Sequence, residues 1–88
     1  MSKRDYWIKQ ISVDANGAVP VLVRINAIAI DAQAKFGFDV ESAYVIARTV
    51  ILTELALDGA EEELVALFKE VLDKQYAAAL NPENEMNA

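Results

Sequence analysis

The sequence predicts an all-α fold, a compact bundle of three long helices plus a short N-terminal element. Apolar residues recur with helical spacing through three segments, residues 20–36, 40–57 and 60–80. Each segment starts beside a residue that favours helix initiation and is followed by a glycine or a proline. At 88 residues the chain has the length of one domain. We therefore expect residues 1–80 to form a single helical domain and residues 81–88 a polar, frayed tail.

The first twenty residues allow two interpretations. Ser2 followed by Asp5 is a capping pattern for a short helix that would carry Trp7. Residues 14–17 read Asp-Ala-Asn-Gly, which is typical of a turn between two β-strands. We favour the helix, with an N-terminal β-hairpin around Asn16-Gly17, packed on the helices in an α+β fold, as the alternative.

The segment 20–36 begins with Pro20, which suits the first turn of a helix. Its apolar residues form two stripes, so the helix is expected to be covered on two sides. The stripes are Val21, Ile25, Ile28, Ala32 and Phe36, and Val23, Ala27, Ile30 and Ala34.

The segment 40–57 begins after Asp39, a residue typical of helix caps. One apolar stripe contains Tyr44, and the opposite face should be polar. Val45 and Leu52 nevertheless lie on that face. A helix that is apolar nearly all round is either central in its domain or faces a partner.

The last segment is expected to form a helix from near Ala60, with Asp58 as its N-cap and Glu61 three residues after Asp58 in a capping-box pattern. Its acidic first turn and its later Lys69 and Lys74 match the helix dipole.

The composition favours self-association. Hydrophobic residues make up 55% of the chain, above the roughly 45–50% typical of soluble domains, although alanine accounts for part of this excess. A chain this short cannot bury that much apolar surface by itself. We therefore predict a homodimer. The candidate self-association residues are Val45, Leu52, Ile46, Tyr6 and Trp7.

The residue types argue against catalysis. The chain contains no histidine and no cysteine, so the usual nucleophile–base pairs and transition-metal sites cannot be built within it. The three glycines stand apart and form no phosphate-binding loop. We expect no enzymatic activity, no catalytic residues, no metal and no cofactor.

Charge and hydropathy limit the partners. The net charge is −6, and residues 49–88 hold nine acidic and only two basic residues. Direct binding of nucleic acid is disfavoured by that sign. No apolar run approaches the roughly 20 residues of a membrane span, and no secretory signal follows Lys3 and Arg4. We expect a cytoplasmic protein without membrane contact.

The expected function is a small acidic protein-interaction or regulatory module that acts by contact as a homo-oligomer. One alternative is an inhibitor whose acidic helix imitates nucleic acid and binds a basic partner. Its candidate partner-binding face comprises Glu62, Glu63, Glu70 and Asp73. The other alternative is a small-ligand binder with a pocket near Arg48, to which Tyr44 and Glu54 would contribute.

Overall fold

Four helices account for most of the computed structural model, which describes residues 2–80. They are α1 (Lys3–Ile11), α2 (Pro20–Phe36), α3 (Val40–Leu57) and α4 (Glu62–Leu80). The all-α prediction is therefore confirmed. The division into three long helices plus a short N-terminal element is not matched exactly, since the structure has four helices within residues 2–80. The N-terminal one, α1, has nine residues and lies where the short helix was favoured. The expected tail at 81–88 lies outside the described residues.

The alternative with an N-terminal β-hairpin is wrong for the described part of the chain, where no residue belongs to a strand. The Ser2 hydroxyl oxygen accepts a hydrogen bond from the Asp5 amide and caps α1. The expected turn does form, because the Asp14 carboxylate accepts the amides of Asn16 and Ala18. It joins two helices instead of two strands. The favoured interpretation, a short helix before the turn, therefore agrees with the structure.

The core lies where α3 contacts α2 and α4. Alanines line much of the α2–α3 contact, and their small side chains let the two helices approach closely. Trp7 on α1 closes one end of the core against Phe68, with ring centroids 5.5 Å apart in an edge-to-face arrangement. The buried apolar residues are Trp7, Val21, Ile25, Ala29, Ala32, Ala43, Ala47, Ile51, Leu55, Leu64, Phe68 and Leu72.

Three residues, 37–39, connect α2 to α3, and a helix cap lies at each end of this connection. Gly37 ends α2 in the left-handed region at φ 69°, and its amide donates to the Gln33 carbonyl. Asp39 then caps α3 by accepting the Ser42 amide at 2.8 Å. This hydrogen bond, together with one from the Ser42 hydroxyl, lowers the pKa of Asp39 below its ordinary 3.8. α3 thus begins directly after this short connection.

The start of α4 differs from the sequence prediction. Asp58 ends α3 instead of capping α4, and its carboxylate accepts the indole N–H of Trp7 at 2.7 Å. The Glu61 carbonyl accepts the Val65 amide, which is the first hydrogen bond of the helix. The first residue of α4 is therefore Glu62, directly after Glu61. A long-range contact with α1 has thus taken the side chain that the local pattern assigned to capping. None of the helices within residues 2–80 is long and apolar enough to cross a membrane.

Candidate interaction surfaces

The outward side of α3 carries an uncharged surface. We call it the α3 face and define it by Val45, Thr49, Leu52, Thr53 and Ala56. Val45 is 48% exposed, whereas Leu52 is half-buried and packs against the core. The Thr49 hydroxyl donates to the Val45 carbonyl at 2.8 Å, which satisfies its hydrogen-bonding capacity within the helix. Together with Leu57, the last four of these residues line a shallow groove.

The outward side of α2 carries a second uncharged surface. We call it the α2 seam and define it by Val23, Ala27, Ile30 and Ala34. Val23 is 60% exposed and Ile30 is 66% exposed, and both alanines are exposed as well. The sequence pattern identified this stripe but predicted that it would be covered. The described chain covers only the other side of α2, at Val21, Ile25, Ala29 and Ala32.

The remaining self-association candidates are in different environments. Ile46 is half-buried. Tyr6 is exposed and its ring packs edge-to-face on Trp7, with centroids 5.3 Å apart. Trp7 itself is only 2% exposed and is a core residue, held by Phe68 and by the hydrogen bond to Asp58. In the folded chain Trp7 is therefore not part of an accessible surface, because its indole fits the end of the bundle.

The four carboxylates of the candidate acidic face are exposed on one side of α4. Two are engaged by cations of the same chain. Asp73 accepts the Arg48 guanidinium at 3.0 Å, and Glu70 lies 3.4 Å from the Lys74 ammonium. The side-chain carboxylates of Glu62 and Glu63 form no hydrogen bond or ion pair with other residues of the described range 2–80. Two of the four carboxylates thus already have a cationic partner within the chain.

Within residues 2–80, each polar group proposed for a pocket near Arg48 is bound to a different partner. Arg48 pairs with Asp73 on α4, Tyr44 donates to Asn26 on α2, and Glu54 pairs with Arg24 at 2.6 Å. Each side chain links α3 to a neighbouring helix.

A similar link joins the hydroxyl of Tyr76, on α4, to Glu41 on α3 at 3.0 Å. Partial burial raises the pKa of Tyr76, and the Glu41 carboxylate raises it further. These polar residues hold the helices together.

Comparisons of this chain with protein-family models, with curated proteins and with solved structures give no match.

Proposed function

We propose that this chain is a small acidic protein-interaction module that acts by protein–protein contact as a homo-oligomer, without catalysis. The observation that carries the proposal is the exposure of uncharged helix surface, the α2 seam together with the α3 face. Exposed apolar surface of this kind is typical of sites covered by another chain. The proposal requires that at least one of the two surfaces meets a second copy.

The net charge of −6 favours solubility for a chain with exposed apolar surface. The side chains with functional chemistry, such as Arg48 and Glu54, are used between helices, as described above. Regulation of a partner and cytoplasmic localisation, both expected from the sequence, stay predictions within this proposal.

The two alternative functions have less support. A nucleic-acid mimic needs a track of available carboxylates, and Glu70 and Asp73 are paired within the chain. A small-ligand binder needs convergent polar groups, and Tyr44, Arg48 and Glu54 each have a separate partner. The interaction module requires neither.

Sedimentation equilibrium or light scattering over about 10 to about 300 µM tests the proposal, since this range brackets micromolar association. We expect the weight-average mass to rise from that of one chain towards that of two. A mass that stays at one chain through the whole range would contradict self-association.

A further inference from the structure

We propose that two copies of this chain pair through their α2 seams in antiparallel orientation, with Val23 of each copy opposite Ala34 of the other. This inference rests on the proposed function and specifies the surface and the geometry of the contact. Four properties of the seam carry it, namely its spacing, its alternation of side-chain size, its flanking polar groups and its exposure.

The spacing of the seam is that of helices that pack side by side. Val23, Ala27, Ile30 and Ala34 are separated by four, three and four residues. Apolar residues at alternating intervals of four and three keep a straight row along a helix and form the contact line of coiled coils. The row extends over about 16 Å at 1.5 Å per residue. It lies on the side of α2 away from the buried residues Val21 and Ile25.

The sizes of the seam residues are self-complementary in one orientation. An antiparallel pair centred between Ala27 and Ile30 places Val23 opposite Ala34 and Ala27 opposite Ile30, and symmetry repeats both contacts. Every layer then combines one β-branched side chain with one alanine, so large residues fill the space that small ones leave. A parallel pair would place valine on valine and alanine on alanine, which alternates crowded layers with voids.

The residues beside the seam are complementary in the same register. Arg24 and Asp31 lie on one flank, so Arg24 of each copy comes near Asp31 of the other. Asn26 and Gln33 lie on the other flank. The Asn26 amide oxygen already accepts hydrogen bonds from Tyr44 and Gln75 of its own chain. Its NH₂ group is therefore the part that can donate to Gln33 of the second copy. Within the chain, Arg24 already pairs with Glu54 and Asp31 with Lys35. The second copy therefore extends two existing ion pairs and leaves no charge unpaired.

The α3 face repeats the spacing but not the other properties. Val45, Thr49, Leu52 and Ala56 also follow intervals of four, three and four. Leu52 is half-buried, however, and Thr49 brings a hydroxyl group into the row. An antiparallel pair through this face gives Arg48 no acidic residue on its flank in the second copy. The α2 seam is thus the better surface for a second copy.

The size of the seam sets the expected affinity. A stable interface of standard size buries about 800 Å² per partner, and four residues on about three helical turns bury less than that. We therefore expect a dissociation constant of roughly tens to hundreds of micromolar and rapid exchange of subunits.

Disulfide trapping tests the orientation, because the wild-type chain contains no cysteine. The variants Val23→Cys and Ala34→Cys are prepared separately, mixed and oxidised. Facing positions approach within the roughly 7 Å between Cα atoms that a disulfide needs, so the mixture should form a disulfide-linked heterodimer. Val23→Cys alone should stay unlinked, since its two copies lie about 16 Å apart along the helix. Linkage of Val23→Cys with itself would overturn the antiparallel geometry.

Charge insertion tests the surface. Ile30→Glu should raise the dissociation constant of the dimer at least about tenfold, because it buries two carboxylates in the central layers. Val45→Glu, on the α3 face, and Val13→Glu, on the loop between α1 and α2, should leave it unchanged. Val13 is a matched control, since it is 68% exposed and thus as accessible as Ile30. Unchanged helix content by circular dichroism shows that each variant is folded.

The outcomes separate the inference from the proposed function. A dimer lost in Val45→Glu and retained in Ile30→Glu would overturn the α2 pairing and leave self-association intact. A wild-type chain that stays monomeric would overturn both.

Discussion

The outward sides of α2 and α3 follow the same spacing rule and yet belong to the fold to different degrees. On α2 the four seam residues are exposed, and none of them belongs to the buried core or packs against it. On α3 the corresponding row includes Leu52, which packs against the core from its flank. α3 contacts two long helices, α2 and α4, whereas α2 contacts α3 and the short helix α1.

The difference teaches that an apolar stripe indicates burial without saying what buries it. On α3, the chain's own core buries part of the stripe, at Leu52. On α2 the second stripe has no cover within residues 2–80. Periodicity alone cannot distinguish these cases, because it describes one helix and not the arrangement around it.

The largest expected effect is a difference in monomer stability between substitutions in the α3 face and in the α2 seam. Leu52→Ala should lower the free energy of unfolding by about 1–3 kcal/mol, since a half-buried leucine loses part of the 2–5 kcal/mol that full burial contributes. Ile30→Ala should change it by less than about 0.5 kcal/mol, as is usual for exposed sites. Urea denaturation at low micromolar concentration, where the monomer predominates, measures both.

The concentration matters because dimerisation would add its own stabilisation. Repeating the measurement at a tenfold lower concentration serves as the control and should give the same two values. Equal losses of stability in both variants would show that the α2 seam contributes as much to the folded monomer as the α3 face does.

A compensating pair of substitutions gives the next largest effect. Ile30→Ala should weaken the dimer by roughly tenfold to a hundredfold, because the two central layers lose their large side chain. Adding Ala27→Ile in the same chain returns one isoleucine to each of those layers, so the double variant should recover most of the affinity. Sedimentation equilibrium gives the dissociation constants.

Val45→Ala is the matched control on the α3 face and should leave the dissociation constant unchanged. Failure of Ala27→Ile to restore affinity, in a double variant that remains folded, would argue against the pairing of position 27 with position 30.

The sequence predicted the helices better than their surroundings. Helical spacing predicted α2 and α3. Their ends were predictable as well, because Pro20, Gly37 and Asp39 act through local hydrogen bonds and backbone geometry. The start of α4 was missed because Asp58 binds Trp7, a residue 51 positions away. The hairpin alternative was wrong for a similar reason, since a turn motif does not specify whether it connects strands or helices.

The candidate surfaces show the same limit. The acidic side of α4 is exposed as its pattern indicated, but its pairing with Arg48 and Lys74 depends on side-chain placement. Trp7 looked available near the N-terminus and is instead the residue that attaches α1 to the core. Pairings across helices need the tertiary arrangement, which no local pattern contains.

The two helices also differ at their starts, and this difference predicts the smallest effect. α2 begins at Pro20 without a side-chain cap, whereas α3 is capped by the Asp39 carboxylate. Protonation weakens this cap because a neutral carboxyl group is a poorer acceptor for the Ser42 amide. Acid should therefore loosen the start of α3 and not that of α2.

The sign follows from the lowered pKa of Asp39 in the folded chain. Its contribution to stability is present above the ordinary value of 3.8 and is lost as the pH falls through the lower folded value. Asp39→Asn keeps a capping oxygen but does not titrate, so the wild type should be the more stable protein at neutral pH and lose that advantage in acid. Urea midpoints of both proteins measured from neutral pH down to about pH 2 isolate the effect, since the other carboxylates contribute equally to each. Two curves that stay parallel across this range would show that Asp39 has the same pKa in the folded and unfolded chains.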